Sequence, residues 1–476
     1  MYLGLDLGTS GLKGVVIDDA QEVVAQATAP LEVQRPHSGW SEQRAEDWIA
    51  ACEAVLEALA PSVRASVKAI GLSGQMHGAT MLDASDAPLA PCILWNDTRS
   101  AAEADAMDAD PVWRAVTGNI VFPGFTAPKL AWQRNSDPAL FDRIAKVLLP
   151  KDYLRLWLTG EHVGEMSDAA GTSWLDTGGR DWSDDLLERS HLSRAHMPRL
   201  VEGSQISGRL RPALAQRFGM DTVPVAGGGG DNAASAVGLG VTEPGEAFVS
   251  LGTSGVLFAA SDAYSPQPET AVHTFCHALP AMWHQMGVIL ACTDALNWAA
   301  GLLGTDARGL TEDLGPLSAP GRGIFLPYLG GERTPLASAS VRGAWLGIEH
   351  SADRATLARA VLEGITFALT DCRDALAATG TRIDRLLATG GGTGSDYWLE
   401  ALATSLGLPL ELPANSDLGG AFGAARLGMM AATGDTSLAT APKIARQIDP
   451  VPGLADAFAE EHARYRHAAD FLKELP

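Results

Sequence analysis

One segment near the N-terminus joins a carboxylate, a turn of small residues and a lysine. Asp6 precedes the turn, Gly8, Thr9, Ser10 and Gly11 form it, and Lys13 follows it. Backbone N–H groups in such a turn can bind phosphate oxygens, a carboxylate can hold a hydrated magnesium ion, and a lysine can contact phosphate as a point charge. A plain hairpin with a solvated Asp and Lys would have the same sequence, so this segment alone leaves both interpretations open.

The same turn recurs about half the chain later. Residues 7–11, LGTSG, reappear as residues 251–255. Each copy lies between two β-rich runs, a pattern that predicts a hairpin whose glycines permit a tight turn. Because one copy stands near the start of each half, we interpret the repeat as an internal duplication. Gly252 and Thr253 are therefore predicted to form a second phosphate turn, opposed to the first.

A run of four glycines, 227–230, leads from an apolar segment into Asp231 and Asn232. The small residues that follow predict a helix, so Asp231 would stand at its N-terminal end. Four glycines let a ligand approach the backbone closely, and a carboxylate there could accept the proton of an attacking hydroxyl during phosphoryl transfer. The alternative is that Asp231 only caps the helix. A cap does not need four glycines before it, so we favour the general base.

A further set of polar groups follows a predicted strand at 67–74. Gln75 and His77 offer hydrogen bonds, and Met76 between them offers an adaptable apolar surface. Trp95 adds an aromatic face beside polar residues, a combination suited to a sugar. The alternative is structural, because a lone His or Met more often belongs to the protein interior and Trp95 could be a core residue.

Gly391 and Gly392 lie in a glycine-rich loop between a strand-like run and a helix-like run. A loop of this kind at a helix N-terminus is a ready site for a nucleotide. Its spacing is not the G-x-G-x-x-G fingerprint of dinucleotide-binding folds, and the chain contains no G-x-x-x-x-G-K-[ST] phosphate loop. A tight turn without a ligand is the alternative.

The composition argues against several classes of partner. The 476 residues include 35 Lys and Arg against 57 Asp and Glu, a formal net charge of −22, and such a surface repels nucleic acid and anionic lipid. Five widely spaced cysteines indicate neither a disulfide framework nor a zinc site and favour a reducing cytoplasm. The N-terminal run contains Asp6 and turns into glycine, unlike a signal peptide. Residues 285–304 are predicted to form a buried helix rather than a membrane span.

The elements that must position these residues alternate between helix and strand in both halves, which predicts the α/β class. In the first half, an amphipathic helix precedes the strand at 67–74. In the second half, a long helix at 355–376 precedes the glycine-rich loop, and residues 455–474 form a final helix. We expect two similar domains with a cleft between them, residues 1–241 and residues 242–476.

Seven segments together have a familiar pattern. They are DLGTSGLKG, GQMHGA, ILWND, GGGGDNAA, SLGTSG, GERTP and ATGGGTGS. In their order and spacing, from residue 1 to about 430, the chain resembles the FGGY family of carbohydrate kinases, and it looks most like members that phosphorylate D-xylulose. The resemblance implies the actin/hexokinase-type fold, in which two RNase H-like domains close on a central cleft with the sugar on one side and ATP on the other.

The resemblance also implies roles for the candidate residues. Asp231 matches the catalytic base, and Asp6 matches the carboxylate associated with magnesium. Met76 and His77 match the sugar-contacting pair, and the remaining sugar-site residues are Gln75, Trp95 and Asn232. The implied nucleotide site comprises Gly8, Thr9, Ser10, Gly11, Lys13, Gly252, Thr253, Gly391, Gly392 and Asn415, with Asn415–Gly419 closing the pocket. The segment Gly331–Pro335 matches a family signature with a structural or cleft-lining role.

The implied reaction is transfer of the γ-phosphoryl group of ATP to the 5-hydroxyl of D-xylulose, with Mg2+ as cofactor. The expected partners are the sugar and ATP, with a homodimer as one option and with neither nucleic acid nor membrane. Two alternatives remain open at this point. The chain could phosphorylate another sugar or polyol, such as ribulose, gluconate, glycerol or erythritol, or it could be a non-catalytic ATP-dependent switch like the actin-like relatives of this fold.

Overall fold

The computed structural model describes residues 1–312, 314–415 and 419–473. Its strands are β1 (Tyr2–Leu7), β2 (Gly11–Ile17), β3 (Val23–Pro30), β4 (Glu42–Gln43), β5 (Ala69–Gly74), β6 (Thr80–Leu82), β7 (Cys92–Ile93), β8 (Lys146–Leu148), β9 (Val163–Glu165), β10 (Leu175–Asp176), β11 (Asp181–Trp182), β12 (Arg199–Val201), β13 (Ile206–Arg209), β14 (Pro224–Ala226), β15 (Gly229–Gly230), β16 (Glu246–Leu251), β17 (Gly255–Ser261), β18 (His273–Cys276), β19 (Trp283–Ile289), β20 (Ile324–Leu326), β21 (Ala344–Leu346), β22 (Arg385–Thr389), β23 (Leu410–Pro413) and β24 (Ile444–Ile448). Its helices are α1 (Ala45–Ala58), α2 (Pro61–Arg64), α3 (Ala101–Asp108), α4 (Pro111–Thr117), α5 (Thr126–Ser136), α6 (Pro138–Phe141), α7 (Pro150–Thr159), α8 (Met166–Ala169), α9 (Asp184–Arg189), α10 (Pro212–Phe218), α11 (Asp231–Leu239), α12 (Thr293–Leu302), α13 (Ala307–Thr311), α14 (Arg354–Ala378), α15 (Asp396–Leu406), α16 (Gly420–Thr433) and α17 (Ala455–Lys473).

The first half folds around a seven-stranded mixed sheet. Its strand order is β13-β14-β5-β1-β2-β3, with β15 paired beside β5. β1, β5, β14 and β15 run parallel, whereas β2 is antiparallel to β1 and β3 is antiparallel to β2. Parallel neighbours bring their carboxyl ends to one edge of the sheet, which is where open α/β sheets bind ligands.

The second half has its own seven-stranded sheet, ordered β18-β19-β17-β16-β22-β23-β24. In each half a hairpin, β1–β2 or β16–β17, lies beside a parallel strand, β5 or β22. The turns at 8–10 and 252–254 therefore occupy matching positions. Both predicted hairpins are present, and the α/β class is confirmed.

One predicted element is wrong. Residues 285–304 do not form a single helix, because their first residues belong to β19 and α12 begins only at Thr293. An apolar run does not by itself distinguish a buried strand from a buried helix. Here the first residues of the run pair with β17 and β18, so they form a strand. The predicted long helix is α14, and the predicted final helix is α17, which packs against the core of the second half.

The interior holds the five cysteines as free, buried thiols, in agreement with the prediction of no disulfide framework. Apolar side chains of α1, among them Trp48 and Val55, pack with Leu3 and Leu5 on one face of the first sheet. Within the described ranges, no helix combines the length and the apolar character needed to cross a bilayer.

The other face of the first sheet is covered by α16, although α16 follows β23 of the second half in the chain. Gly4 and Gly71 are neighbours on β1 and β5. A Cβ on Gly4 would lie 1.9 Å from the carbonyl oxygen of Ala421, and a Cβ on Gly71 would lie 1.7 Å from that of Ala424. Only glycine permits this approach, so α16 lies closer to the sheet than side chains would allow.

The same helix fixes α11, which begins at Asp231. A Cβ on Gly423 of α16 would lie 1.7 Å from the carbonyl oxygen of Ala234, so the two helices touch backbone to backbone. Arg426 on α16 donates to the carbonyl oxygen of Val237 at 2.9 Å. The position of α11 relative to β1 and β5 therefore depends on α16.

We predict that Gly71→Ala lowers the free energy of unfolding by about 3 kcal/mol or more, because the new methyl group would collide with the backbone of α16. Chemical denaturation of both proteins measures the difference. Gly301→Ala is the matched control, since Gly301 on α12 has no atom within 4 Å of its added Cβ. This control should be neutral or raise the free energy of unfolding by about 0.5–1 kcal/mol. If both substitutions lowered the free energy of unfolding equally, the close contact of α16 with the sheet would not explain the need for glycine at position 71.

Candidate active site

The carboxyl ends of β1, β5 and β15 meet at one edge of the first sheet. Asp6 on β1 pairs with Ser73 on β5, and β15 pairs with the same stretch of β5. β5 leads into residues 75–77, and β15 leads directly into Asp231. Predicted functional segments that are far apart in the sequence are therefore neighbours in the structure.

The glycines at 227–230 are explained by close contacts. A Cβ on Gly228 would lie 2.1 Å from the carbonyl oxygen of Leu72, and Gly228 also has a φ of +81°, a conformation that favours glycine. A Cβ on Gly230 would lie 2.9 Å from Sδ of Met76. The loop can thus lie against β5 and Met76 only because it carries no side chains.

Asp231 is the first residue of α11 and is partly exposed. Its Oδ1 accepts hydrogen bonds from the backbone N of Asn232 at 2.7 Å and from Nδ2 of Asn232 at 3.1 Å. The N-cap position of α11 is occupied by Gly230, and Asp231 stands one residue later, where Oδ1 accepts from the N–H of Asn232 in the first turn. No described group bonds Oδ2, which leaves this oxygen able to accept a proton.

Two carboxyl groups at this edge have raised pKa values. Burial raises the pKa of Asp231 to about 6, the charge of Asp6 adds to the rise, and the bonds from Asn232 oppose it. Burial also raises the pKa of Asp6, against the 2.8 Å hydrogen bond from Ser73 Oγ and the charge of Lys13. A base with a pKa near 6 is ionised at neutral pH and still basic enough to take a proton in a transition state.

The N-terminus of α16 lies against Asp6. A Cβ on Gly420 would be 2.9 Å from both Cγ and Oδ2 of Asp6, and 2.7 Å from Ser73 Oγ. The positive end of a helix macrodipole favours a negative charge at this position. α16 therefore positions the Asp6 carboxylate and helps to keep it ionised.

The first turn is tied to the neighbouring segments through buried amide groups. Thr9 Oγ1 donates to Gln75 Oε1 at 2.9 Å and accepts from Trp95 Nε1 at 3.0 Å. Gln75 Nε2 donates to Gln43 Oε1 at 2.8 Å, and Gln43 Nε2 donates to the carbonyl oxygen of Thr9 at 2.7 Å. Both ends of the Gln75 amide are thus bonded within the protein, whereas the Trp95 ring remains partly exposed.

His77 presents a hydrogen-bond acceptor. Its Nδ1 lies 2.7 Å from the carbonyl oxygen of Gly171, and because a carbonyl oxygen only accepts, Nδ1 must carry the proton. Burial lowers the pKa of His77 to about 3, with smaller contributions from the charges of Lys129 and Arg333. The imidazole ring stacks on Phe125 with centroids 4.6 Å apart. Its Nε2 is therefore an unprotonated acceptor in a fixed orientation.

The second turn is anchored on the start of α12. The carbonyl oxygen of Gly252 accepts from Thr293 N at 2.9 Å, and that of Thr253 accepts from Cys292 N at 2.9 Å. Both turns, at 8–11 and at 252–254, are therefore held by hydrogen bonds from neighbouring segments.

A cavity of about 720 Å³ lies beside α12, α13 and α15. Gly391 and Gly392 line it, and Leu296, Leu314 and Tyr397 add apolar surface. Its volume is within the range of small-molecule sites, and the N-terminus of α15 offers backbone N–H groups to an anion. The predicted nucleotide loop thus lies at a cavity large enough for a nucleoside.

Two other residues that were predicted to bind the nucleotide, Lys13 and Asn415, are not among those that line this cavity. Lys13 on β2 pairs opposite Asp6 in the first hairpin, and its charge lowers the pKa of Asp6. Asn415 follows β23 and is exposed. The rest of the predicted closing segment, residues 416–418, lies outside the described residues.

Two family models match the chain. The N-terminal domain of the FGGY family of carbohydrate kinases matches residues 1–238, and the C-terminal domain of the same family matches residues 247–432. The chain belongs to the FGGY family of carbohydrate kinases. It is therefore an ATP-dependent sugar kinase with the actin/hexokinase-like two-domain fold, which confirms the resemblance, the fold and the enzyme class predicted from the sequence.

Relatives within the family extend over nearly the whole chain. A xylulose kinase of Escherichia coli (strain K12) is 48% identical over 448 residues, which cover 92% of this chain and 91% of that protein. A crystal structure of a "xyloylose kinase" from Brucella ovis is 56% identical with a TM-score of 0.98 and full coverage of both chains (100%). A xylulose kinase structure from Rhodospirillum rubrum is 28% identical with a TM-score of 0.92, covering 99% of each chain.

A buried ionic cluster lies beneath the glycine loop of this FGGY kinase. Lys151 on α7 forms ion pairs with Asp152, Glu165 and Asp168 at 3.0, 3.3 and 2.8 Å, and none of the four side chains is more than 2% exposed. Arg155 contacts Asp152 at 3.2 Å. Burial raises the pKa of Asp168 to about 8, against the charge of Lys151. Two cations, Lys151 and Arg155, thus face three carboxyl groups in a fully buried cluster.

The cluster reaches the glycine loop through two side chains. Arg155 donates to the carbonyl oxygens of Ala226 at 2.6 Å and Gly227 at 2.5 Å. Ser167 Oγ accepts from the N–H of Gly230 at 3.0 Å. The backbone is thereby held at the first and at the last of the four glycines. Asp231, which follows them directly, is held in place with this backbone.

Sequence reasoning missed this cluster and Gln43. It assigned Lys151 and Asp152 no role of their own. One signal could have found them: Lys151, Asp152 and Arg155 are spaced in α7 to share one side of the helix and so to meet partners together. No comparable signal points to Gln43, because its four partners are spread over the first 75 residues. These partners are Thr9, Glu32, Trp48 and Gln75.

We predict that Ser167→Ala lowers kcat about tenfold with little change in the KM of either substrate. The substitution leaves the buried Gly230 N–H without its partner, which costs about 1–3 kcal/mol and allows the loop to shift. Steady-state kinetics of sugar-dependent ADP release measure kcat and both KM values.

Ser190→Ala serves as the control for this prediction. It removes another buried hydroxyl, which accepts from Trp174 Nε1 at 2.8 Å but makes no described bond to the glycine loop. Its kcat should stay within about twofold of the wild type. A similar loss of kcat in both variants would indicate general destabilisation and contradict the specific role of Ser167.

Proposed function

We propose that this kinase transfers the γ-phosphoryl group of ATP to the 5-hydroxyl of D-xylulose, with Asp231 as the general base. The observation that carries the assignment of the base is the Asp231 carboxylate, which has one oxygen held by Asn232, the other free to accept a proton, and a pKa of about 6. The choice of sugar is supported by the 48% and 56% identity to proteins named as kinases of this ketose.

In this proposal the sugar lies against the strand-end edge of the first half. His77 Nε2 accepts a hydrogen bond from a sugar hydroxyl, and Met76 and Trp95 contact the apolar C–H faces of the sugar. Asn232 acts by holding Oδ1 of Asp231, so that Oδ2 faces the attacking hydroxyl. Gln75 acts through Thr9, because its amide is bonded within the protein.

The nucleotide lies across the two hairpin turns. The adenosine occupies the cavity at Gly391 and Gly392, and the phosphates extend toward the turns 8–11 and 252–254. Lys13 contributes a positive charge near the transferring group. In this arrangement residues 1–241 carry the sugar side and the first phosphate turn, and residues 242–476 carry the nucleotide side.

The residues at this edge fit a magnesium ion. The charge of Asp6 adds to the raised pKa of Asp231, and Mg2+ prefers one or two carboxylates together with phosphate oxygens and water. Asp6 would hold the ion. When bound, the ion would supply charge neutralisation on the phosphate groups.

The residues of the chain then carry out the transfer. Asp231 Oδ2 takes the proton of the 5-hydroxyl as that oxygen attacks the γ-phosphorus in line, and ADP leaves on the opposite side. The N–H groups of the two turns and Lys13 stabilise the charge on the transferring group. Closure of the two halves excludes water, which otherwise competes as acceptor.

We predict that D-xylulose stimulates ADP release from ATP and Mg2+ far more than other acceptors do. The measurement is a coupled ADP-release assay against D-xylulose, L-xylulose, D-ribulose, L-ribulose, gluconate, glycerol, erythritol and D-arabinitol. A preference for another acceptor would contradict the choice of sugar but leave the base assignment standing. Steady ATP hydrolysis that no acceptor changes would contradict sugar phosphorylation.

We also predict that Asp231→Asn lowers kcat at least about 1,000-fold while sugar and ATP still bind. Because the base must be ionised and its pKa is about 6, kcat/KM of the wild type should fall tenfold per unit as the pH drops below about 6. A pH series of initial rates, with calorimetry for binding, provides both measurements.

The control for the Asp231 variant is Asp110→Asn, which alters an N-cap carboxylate on α4 that bonds Val112 N at 3.1 Å. Its kcat should match the wild type. Turnover by Asp231→Asn at more than about a tenth of the wild-type rate would contradict the role of a general base.

A further inference from the structure

The loop at 331–335 holds Arg333 in a rigid backbone. Oε1 of Glu332 accepts from Leu290 N at 2.9 Å and from Arg333 N at 2.8 Å. Thr334 is bonded twice to Val288 on β19, through its backbone N at 3.0 Å and through Oγ1 at 3.1 Å. The backbone on either side of Arg333 is therefore fixed to the sheet of the second half.

The Arg333 side chain extends from this loop to the sugar side of the first half. Its guanidinium lies over the Phe122 ring, with Cζ 5.5 Å from the ring centroid. A Cβ on Gly124 would be 2.2 Å from the carbonyl oxygen of Trp95 and 4.0 Å from Nη2 of Arg333. The charge of Arg333 also contributes to the lowered pKa of His77. The guanidinium therefore lies at Phe122 and Gly124, close enough to His77 for its charge to act on that proposed sugar contact.

The charge of Arg333 is not matched by an anion. Within the described residues, its guanidinium has no ion-pair or hydrogen-bond partner, whereas Arg155 and Arg426 donate to carbonyl groups and Arg99 pairs with carboxylates. The adjacent Glu332 does not neutralise it, because burial raises the pKa of that carboxyl to about 8.

An arginine side chain has five N–H donors, and those of Arg333 remain accessible to a ligand, since none is among the fully buried unpaired groups of the described residues. Burial lowers the pKa of Arg333. A rigid loop that nevertheless holds these donors beside the sugar contacts indicates that a ligand supplies the acceptors.

We propose that Arg333 is a sugar-binding residue, which donates hydrogen bonds to oxygen atoms of the bound ketose and makes the second half of the chain part of the sugar site. This inference rests on the proposed function. Phosphate is a poor alternative for this guanidinium, since the Phe122 ring beneath it packs on Phe125, which stacks with His77, and an aromatic cluster suits a neutral polyhydroxylated ligand.

Arg333 and His77 complement each other chemically. A guanidinium only donates hydrogen bonds, so it can bind the carbonyl oxygen of a ketose as well as hydroxyl oxygens. His77 Nε2 only accepts, so it binds a hydroxyl and not a carbonyl. A sugar that bridges these two residues is also in contact with both halves of the chain, so its binding favours their closure.

The test compares Arg333→Met with the wild type by titration calorimetry with D-xylulose and by steady-state kinetics. The sugar Kd and KM should rise about 10- to 100-fold, as expected for the loss of charge-assisted hydrogen bonds, while the KM for ATP changes less than about twofold. If Arg333→Met fails to fold, Arg333→Gln replaces it with the same expectation.

The matched control is Arg342→Met, because Arg342 follows the same loop, is exposed, and donates to the carbonyl oxygens of Ala339 and Val341. It should bind the sugar as the wild type does. Wild-type sugar affinity in the Arg333 variant, or an equal loss in the Arg342 variant, would overturn the inference.

Turnover by the wild type is measured first, with the panel of acceptors described above. If another acceptor is phosphorylated in place of D-xylulose, the choice of D-xylulose as substrate is wrong, but the role of Arg333 is still open to test. The binding measurements on the Arg333 variant are then made with that acceptor, so the experiment distinguishes a wrong substrate from a wrong role for Arg333.

Discussion

The backbone contact of α16 with β1, β5 and α11 is the constraint on which the site depends. Gly4, Gly71 and Gly423 allow approaches that any Cβ would prevent. Through them one helix from the second half of the chain sets the distance between the strand that carries Asp6 and the helix that begins at Asp231. Phosphoryl transfer is mostly a matter of positioning and charge, so this spacing matters more than any single hydrogen bond in the site.

The net charge of this kinase differs from the charge found locally at its candidate active site. The chain as a whole has a formal net charge of −22, yet its expected substrate ATP is an anion. At the strand ends, Lys13, the turn N–H groups and the N-terminus of α16 contribute positive or partial positive charge. Beneath the loop, the cluster around Lys151 and Arg155 is buried and paired, so it acts on the backbone rather than on a ligand. Arg333 is the opposite case, a partly exposed cation that we assign to the sugar.

Much of the fold could be predicted because it depends on local patterns. The repeated turn LGTSG and the four glycines before Asp231 predicted the hairpins and the start of α11, since turns and helix ends are specified by nearby residues. The run at 285–304 was predicted wrongly because strand pairing is not local. Asp6, Met76, His77 and Asp231 could be found as candidates from residue type and motif. Gln43, Ser167 and Arg333 could not, since each acts through a contact between distant segments.

The most direct test of the account is a crystal structure of the kinase with D-xylulose and a non-hydrolysable ATP analogue. With Asp231 as the base, its Oδ2 should lie about 2.6–3.2 Å from the 5-hydroxyl oxygen of the sugar, with that oxygen in line with the γ-phosphorus. A 5-hydroxyl that lies away from Asp231, with another side chain in hydrogen-bond contact with it, would contradict the central claim.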